Sequence, residues 1–475
     1  MPRLDPPLST ELPPGSADGN GGFDGGSTRH RNQAAVALQI YVVALMLFPS
    51  DVVFKPVGAY GFAAALVAMS LFGLYLAASP LGLHDPLSFR YPTRSCLILL
   101  WLASLASYAV MHMTEQTSQS KLAADRWLMQ LAAISGVALV AAEGLHGLPD
   151  IKRVLRALTW GGAFSGMVAA LQFFIAFDLT PYLRMLLPGF TINAENTAVV
   201  ARSGLRRVTG VAIHPIELGV VSGMLLPIAI YLAMHDTGRS ARSRWLPVLG
   251  LSVAVTVSVS RSAILAAGVA LIVFLVLLPA QQRLTGLAAV PVALAAVFMT
   301  ARGLIGTLVS FFSAGASDAS VAARVDDYPL VERLVRQAPL FGRGGGTYIP
   351  VDPLEILDNQ YLTTAIELGL VGLLAVVVFY VLPAVTALVA RRRTPDPDLR
   401  ALCAALAGAV LAAGLASVTF DALAFPMFAS VYALIVGLVG CAWLLATRPG
   451  TPAGRTVAPA EATTSRHLPR SLKGR

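Results

Sequence analysis

The sequence predicts an all-α polytopic membrane protein with about twelve transmembrane helices and an extracytoplasmic loop that contains an amphipathic helix. Three observations predict it. In 475 residues, 56% are hydrophobic and only 13% charged, and the mean hydropathy is +0.69, well outside the range of soluble chains. The apolar residues gather into runs near the length of about 20 residues that a membrane-spanning helix needs. Basic residues collect in alternate loops between those runs, as the positive-inside rule requires.

Taken in order, residues 1–33 carry PPLSTELPPGSADGNGGFDGG, too rich in Pro, Gly, Ser and Asp to bury a core, and predict a disordered cytoplasmic tail. No basic n-region with a short apolar core and a small-residue cleavage site opens the chain, so the first apolar segment is expected to be kept as a span. Residues 34–447 form the expected transmembrane domain, with apolar segments near 34–50, 57–78, 95–113, 127–143, 154–177, 209–234, 245–259, 262–279, 285–301, 360–386, 401–419 and 425–446. Residues 448–475, rich in Pro, Thr and Arg, predict a second disordered tail. Loops holding Arg90/Arg94, Lys152/Arg153/Arg156, Arg239/Arg242/Arg244, Arg283 and Arg391/Arg392/Arg393 are expected on the cytoplasmic side, together with both termini.

The run from Trp245 to Pro279 is nearly long enough for two spans and holds one charge, Arg261. A guanidinium at mid-bilayer costs about 2.5–3.5 kcal/mol on insertion scales, so a hairpin with Arg261 at its tip is favoured. By the same parity the tip faces outward, with two long loops, about 178–208 and 302–359, on that side. Within the second, ARVDDYPLVERLVRQAPLFGRGGG from Ala323 alternates apolar and charged residues at helical spacing apart from Pro329. It predicts an amphipathic helix on the outer membrane surface.

Three outward features then converge. GLRRVTGVAIHPIELG brings Arg206, Arg207, His214 and Glu217 to the start of a span; SVSRSA brings Arg261; LDNQYLTTAIELGLVG brings Asp358, Asn359, Tyr361 and Glu367. Guanidiniums gathered at one membrane face suit a phosphate or pyrophosphate, through paired hydrogen bonds and a permanent charge. A single interfacial arginine more often only snorkels to lipid phosphate. His214 and Glu217, three apart, share a helix face and could bind an acceptor sugar, shuttle protons or satisfy each other. Asp358 suits a helix N-cap as well as a substrate contact. FGRGGGTY lacks the ending of a nucleotide-binding loop, so its glycines are expected to permit a tight turn or a close approach. Neither metal-ligand spacing nor a disulfide pattern appears; Cys96, Cys403 and Cys441 lie singly in apolar segments, so no metal and no cofactor is expected. The formal net charge of +9 is spread over short loops, and nucleic acid is not expected as a partner.

The order R-x-T-G-x-x-x-H-P (Arg207 to Pro215), S-R-S-A (Ser260 to Ala263), Arg324 followed by P-L-F-G-x-G-G-G, D-N-x-Y-L and E-L-G-L-V-G resembles the O-antigen ligase and polymerase family over about 200–375. The resemblance implies an integral-membrane glycosyltransferase, working without a metal or nucleotide. It would take a glycan from a polyprenyl-pyrophosphate carrier at the outer face of the inner or plasma membrane and join it to a hydroxyl of a glycan or glycolipid acceptor. It implies that Arg207 and Arg261, with Arg206 and Arg324, hold the donor pyrophosphate. Asp358, His214 and Glu217 are the catalytic candidates, and Asn359 and Tyr361 the substrate-binding ones. Ligases of this family carry a histidine before the Asn; Asp358 stands there instead, which points toward polymerase-like or other cell-envelope glycan transfer. The alternative class is a multi-span transporter or a flippase of lipid-linked glycans, although no internal repeat is visible.

Overall fold

The computed structural model describes residues 25–114, 117–193, 201–202, 205–284, 319–350, 352 and 355–448. Its long helices are α1 (Gly25–Leu47), α2 (Ala63–Ala78), α3 (Pro92–His112), α4 (Ser118–Gly144) and α5 (Leu148–Phe174). After the short α6 (Thr180–Arg184) come α7 (Pro215–His235), α8 (Ala241–Val257), α9 (Arg261–Leu277) and α10 (Ala319–Gln337). The chain closes with α11 (Gln360–Glu367), α12 (Gly369–Arg393), α13 (Pro397–Ala416) and α14 (Pro426–Thr447). Among the described residues seven of these, α3, α4, α5, α7, α12, α13 and α14, are long and apolar enough to cross a membrane, and Gln33–Leu47, α2 and α9 are shorter apolar helices. The expected segment 285–301 lies outside the described residues.

α7 and α14 are apolar all round, and both are almost completely buried, the position such helices require. α14 packs on α4, α12 and α13; α13 also packs on α9, α12 and α7. The 245–279 run folds into two helices whose link, residues 258–260, is capped by Ser260, with Arg261 as the first residue of α9. The two arms splay apart, each packing far more on α7 than on the other. Small residues make this possible: a Cβ on Gly219 would sit 2.4 Å from both Ala263 Cβ and Ser258 Oγ, and one on Gly223 would sit 2.8 Å from the Ala267 nitrogen. Such small-residue faces are how helices approach closely in a bilayer.

The two ends of the bundle differ in chemistry. At one end, buried Glu143 accepts from Tyr91 (2.5 Å), meets His84 Nε2 at 2.7 Å and pairs with Arg94. There too Lys152 and Tyr231 meet Asp398, Arg391 donates to the Leu277 carbonyl and Arg448 to that of His146. At the other end, strand β1 (Val52–Phe54) pairs antiparallel with β2 (Phe190–Ile192), Val53 opposite Thr191. An Arg184–Asp51 ion pair holds the same loops together, and β3 (Ala201–Arg202) pairs with β4 (Leu205–Arg206).

Two expected boundaries move. The 127–143 segment begins at Ser118, because Thr117 caps a polar first turn that hydropathy alone cannot see. The 360–386 segment is broken at Leu368, where Gly369 takes φ +67° and admits the Leu340 carbonyl; a Cβ there would lie 2.4 Å from it. α10 contains Pro329, and its Val331 packs with Leu357 and Ile366 beside Tyr348 and Leu362.

Candidate active site

The link between α13 and α14, residues 417–425, is where the separate motifs meet. Gln360, at the start of α11, fixes it: the backbone N–H donates to the Ser417 carbonyl (2.9 Å) and the Phe420 carbonyl (3.2 Å), and Oε1 accepts from Leu423 N–H at 2.5 Å. Gln130 of α4 donates to the Leu423 carbonyl. The far edge of the link is held from α9, where Thr419 Oγ1 donates to Ser262 Oγ (2.7 Å), next to Arg261. Phe425 lies 5.8 Å from the His214 ring, centroid to centroid. One short link thus joins the SRSA, HP and DNQY motifs across the bundle.

Glu217 anchors the link's exit. Fully buried, its carboxyl accepts from the N–H groups of Met427 (2.6 Å) and Phe428 (3.2 Å) in the first turn of α14, and from Ile213 (3.0 Å). Those α14 donors have no partner within their helix, and its positive end favours a carboxylate. Of the roles open to this pair, mutual pairing gives way to backbone contacts: His214 caps α7, Nδ1 accepting from Ile216 N–H at 3.2 Å, because three-residue spacing brings side chains near while the nearest unsatisfied backbone N–H groups take them. Burial, then the charge of Arg207, push the His214 pKa down to about 4. Arg207 itself is buried and Arg261 half-buried. The side chains of Arg206 and Arg324 lie outside the described residues.

On the opposite flank, Asn359 rather than Asp358 caps α11, accepting from Tyr361 N–H (3.0 Å) and Leu362 N–H (3.4 Å). The Tyr361 hydroxyl donates to the Gly414 carbonyl (2.7 Å), tying α11 to α13. Asp358, next to this cap, is exposed. It acts on a residue that no motif marked: Asp421, half-buried in the link, whose pKa is pushed up to about 7 by burial and then by the charge of Asp358.

Asp421 also lines a cavity of about 600 Å³, with Arg126, Trp127 and Gln130 of α4 and with Gln360 and Glu367 of α11. The glycine-rich turn closes one wall. Gly342 (φ +67°) lies so close to the α11–α12 break that a Cβ would meet the Glu367 carbonyl oxygen at 2.2 Å, and a Cβ on Gly345 would strike the Trp127 ring at 2.4 Å. The glycines therefore serve a close approach, to the protein's own backbone and to Trp127. Glu367 Oε1 accepts from Tyr348 N–H (3.1 Å). Asp421, Arg126 and Gln130 went unmarked in the sequence; a visible signal was the i, i+4 placement of two polar residues, Arg126 and Gln130, in an apolar helix.

The fold and site define a polytopic membrane protein with a polar chamber at one end of its helix bundle. Residues 246–377 match the family model described as O-antigen ligase, a match that supports the O-antigen ligase/polymerase family for this stretch of the chain. The matched stretch holds Arg261, Asp358 and Glu367, while Arg207, His214, Glu217 and Asp421 lie outside it. No curated protein matches the chain. The family indicates glycosyltransferase activity of the O-antigen ligase type, in polysaccharide assembly.

Proposed function

We propose that this protein transfers a glycan from a polyprenyl-pyrophosphate donor to an acceptor hydroxyl at the extracytoplasmic face, in a polymerase-like or related cell-envelope reaction. The observation that carries the reading is that Ser262, next to Arg261, meets Thr419, that His214 meets Phe425, and that Asp358 acts on Asp421, all on the 417–425 link. Sidedness is supported by the opposite end of the bundle, where Arg94, Lys152, Arg391 and Arg448 cluster, as cytoplasmic residues do.

In the proposed step the acceptor hydroxyl gives its proton to the Asp421 carboxylate while its oxygen bonds to C1 of the donor sugar. The C1–O bond to phosphate breaks, and polyprenyl pyrophosphate leaves with the electron pair. Arg207 and Arg261 take up the charge that develops on it, stabilising the transition state more than the bound substrate. Asp421 suits the base role, because a group that titrates near 7 is matched to proton transfer at neutral pH. Asp358 then acts as a partner that keeps Asp421 basic. His214, neutral at pH 7, adds no competing charge beside Arg207. Glu217, Asn359 and Tyr361 hold the link and the Asp358 turn in place, and Arg206 and Arg324 are proposed as further pyrophosphate contacts.

Purified protein in proteoliposomes, supplied with a lipid-linked oligosaccharide and a glycan acceptor, tests this. A new glycosidic product and released polyprenyl pyrophosphate are expected; movement of the lipid between leaflets with no product would establish a flippase instead.

A further inference from the structure

We infer that the cavity beside Asp421 binds an acidic saccharide, whose carboxylate or phosphate is gripped by Arg126. Calling that saccharide the acceptor rests on the transfer reading; its acidity does not. The cavity, about 600 Å³, falls within the range of about 300–1,000 Å³ typical of small-molecule sites. Most of its polar groups are already engaged in holding the fold. Gln130 donates to the Leu423 carbonyl, Gln360 accepts from Leu423 N–H and donates to Thr364 Oγ1 (3.0 Å), and Glu367 accepts from Tyr348 N–H.

Arg126 is different. It is half-buried in the cavity wall, and among the described residues its guanidinium has no hydrogen-bond or ion-pair partner. The carboxylate next to it in sequence, Asp125, is taken by the Tyr108 hydroxyl at 2.7 Å. A partly desolvated cation facing a cavity is stabilised by an anion in that cavity. The guanidinium fork matches a carboxylate or phosphate with two parallel hydrogen bonds, which a sugar hydroxyl cannot accept in the same way. The carboxyls of Asp421 and Glu367 belong to other elements of the wall, the 417–425 link and α11. A sugar lying across the cavity would present its hydroxyls to Asp421 and its anionic group to Arg126.

The test is binding of a glucuronate-terminated disaccharide, glucose 6-phosphate and the neutral disaccharide to the full chain in phosphatidylcholine nanodiscs, by calorimetry. The acidic disaccharide is expected to bind about tenfold or more tightly than its neutral counterpart, the effect of one charge-assisted hydrogen bond. Arg126→Gln should abolish the preference and Arg126→Lys should keep part of it. Arg333→Gln, exposed on α10 away from the cavity, should keep all of it. Thermal unfolding of each variant separates lost binding from lost folding. Equal affinity for the two disaccharides, or a preference that survives in Arg126→Gln, overturns the inference. If nanodiscs with anionic lipid erase the preference, the site belongs to a lipid headgroup and the inference also falls. A glycosidic product without any acidic preference refutes this inference alone, whereas an acidic preference without product refutes the transfer reading and leaves this one standing.

Discussion

Replacing Glu217 with Ala separates a brace from a reacting group. The carboxyl, fully buried, accepts from three backbone N–H groups, those of Ile213, Met427 and Phe428. Truncation leaves all three without a side-chain acceptor. At about 1–3 kcal/mol for each buried donor left unsatisfied, the loss is about 3–9 kcal/mol. That is a large share of a typical stability of about 5–15 kcal/mol, and it falls on the first turn of α14, one of the two most deeply buried spans. Glu217→Ala is therefore expected to fail to accumulate as folded protein, or to melt far below the native chain. Glu217→Gln keeps one oxygen acceptor and should fold with a smaller loss. The assay is tryptophan-monitored unfolding in detergent, with transfer measured per folded molecule: Glu217→Gln should retain turnover. A Glu217→Ala protein that melts like the native chain yet is inactive would refute the brace and return Glu217 to the chemistry.

Other predictions follow from the same geometry. Asp421→Asn should lower transfer about 10²- to 10⁴-fold, the usual contribution of a positioned base. In the native protein the rate should climb as pH rises through about 7, where Asp421 loses its proton, and Asp358→Asn should move that midpoint downward. Because the fold raises this pKa, the associated stability is present below the ordinary carboxyl range and is lost as pH rises through about 7; a melting series should show that slope flatten in Asp421→Asn. His214 has the opposite sign. Its lowered pKa means stability that is present above its ordinary 6.5 and lost as pH falls toward 4, a decline that His214→Asn should lessen in acid unfolding. Gly219→Val places a side chain where a Cβ already lies 2.4 Å from Ala263 Cβ and Ser258 Oγ. Overpacking of this kind costs about 1–3 kcal/mol, so the melting temperature should drop, and with it the turnover that depends on Arg261.

Much of the scaffold was legible because a bilayer allows few solutions: apolar length and loop charge suffice to place spans. The Arg261 link was legible for the same reason, since a run too long for one helix with one charge in it has an inexpensive answer in a turn. The partners around the 417–425 link were not. Glu217 meets Met427 N–H across a sequence separation of 210 residues, and no local pattern encodes that apposition. Asp421 sits alone between two apolar segments, and its chemistry arises from burial in the assembled link together with the charge of Asp358. At the start of α11 two adjacent residues both suit the cap, and Asn359 takes it. The glycine run was readable as a close approach, but what approaches, the Glu367 carbonyl and the Trp127 ring, is decided by tertiary packing.

The most direct test is the transfer rate of Arg261→Ala in proteoliposomes against the native chain, with unfolding temperatures matched. Loss of one charge-stabilising donor costs about 2.7–4 kcal/mol in comparable sites, so turnover should fall about 10²- to 10³-fold while the protein stays folded. Full turnover by a folded Arg261→Ala variant would contradict a guanidinium role at the departing pyrophosphate.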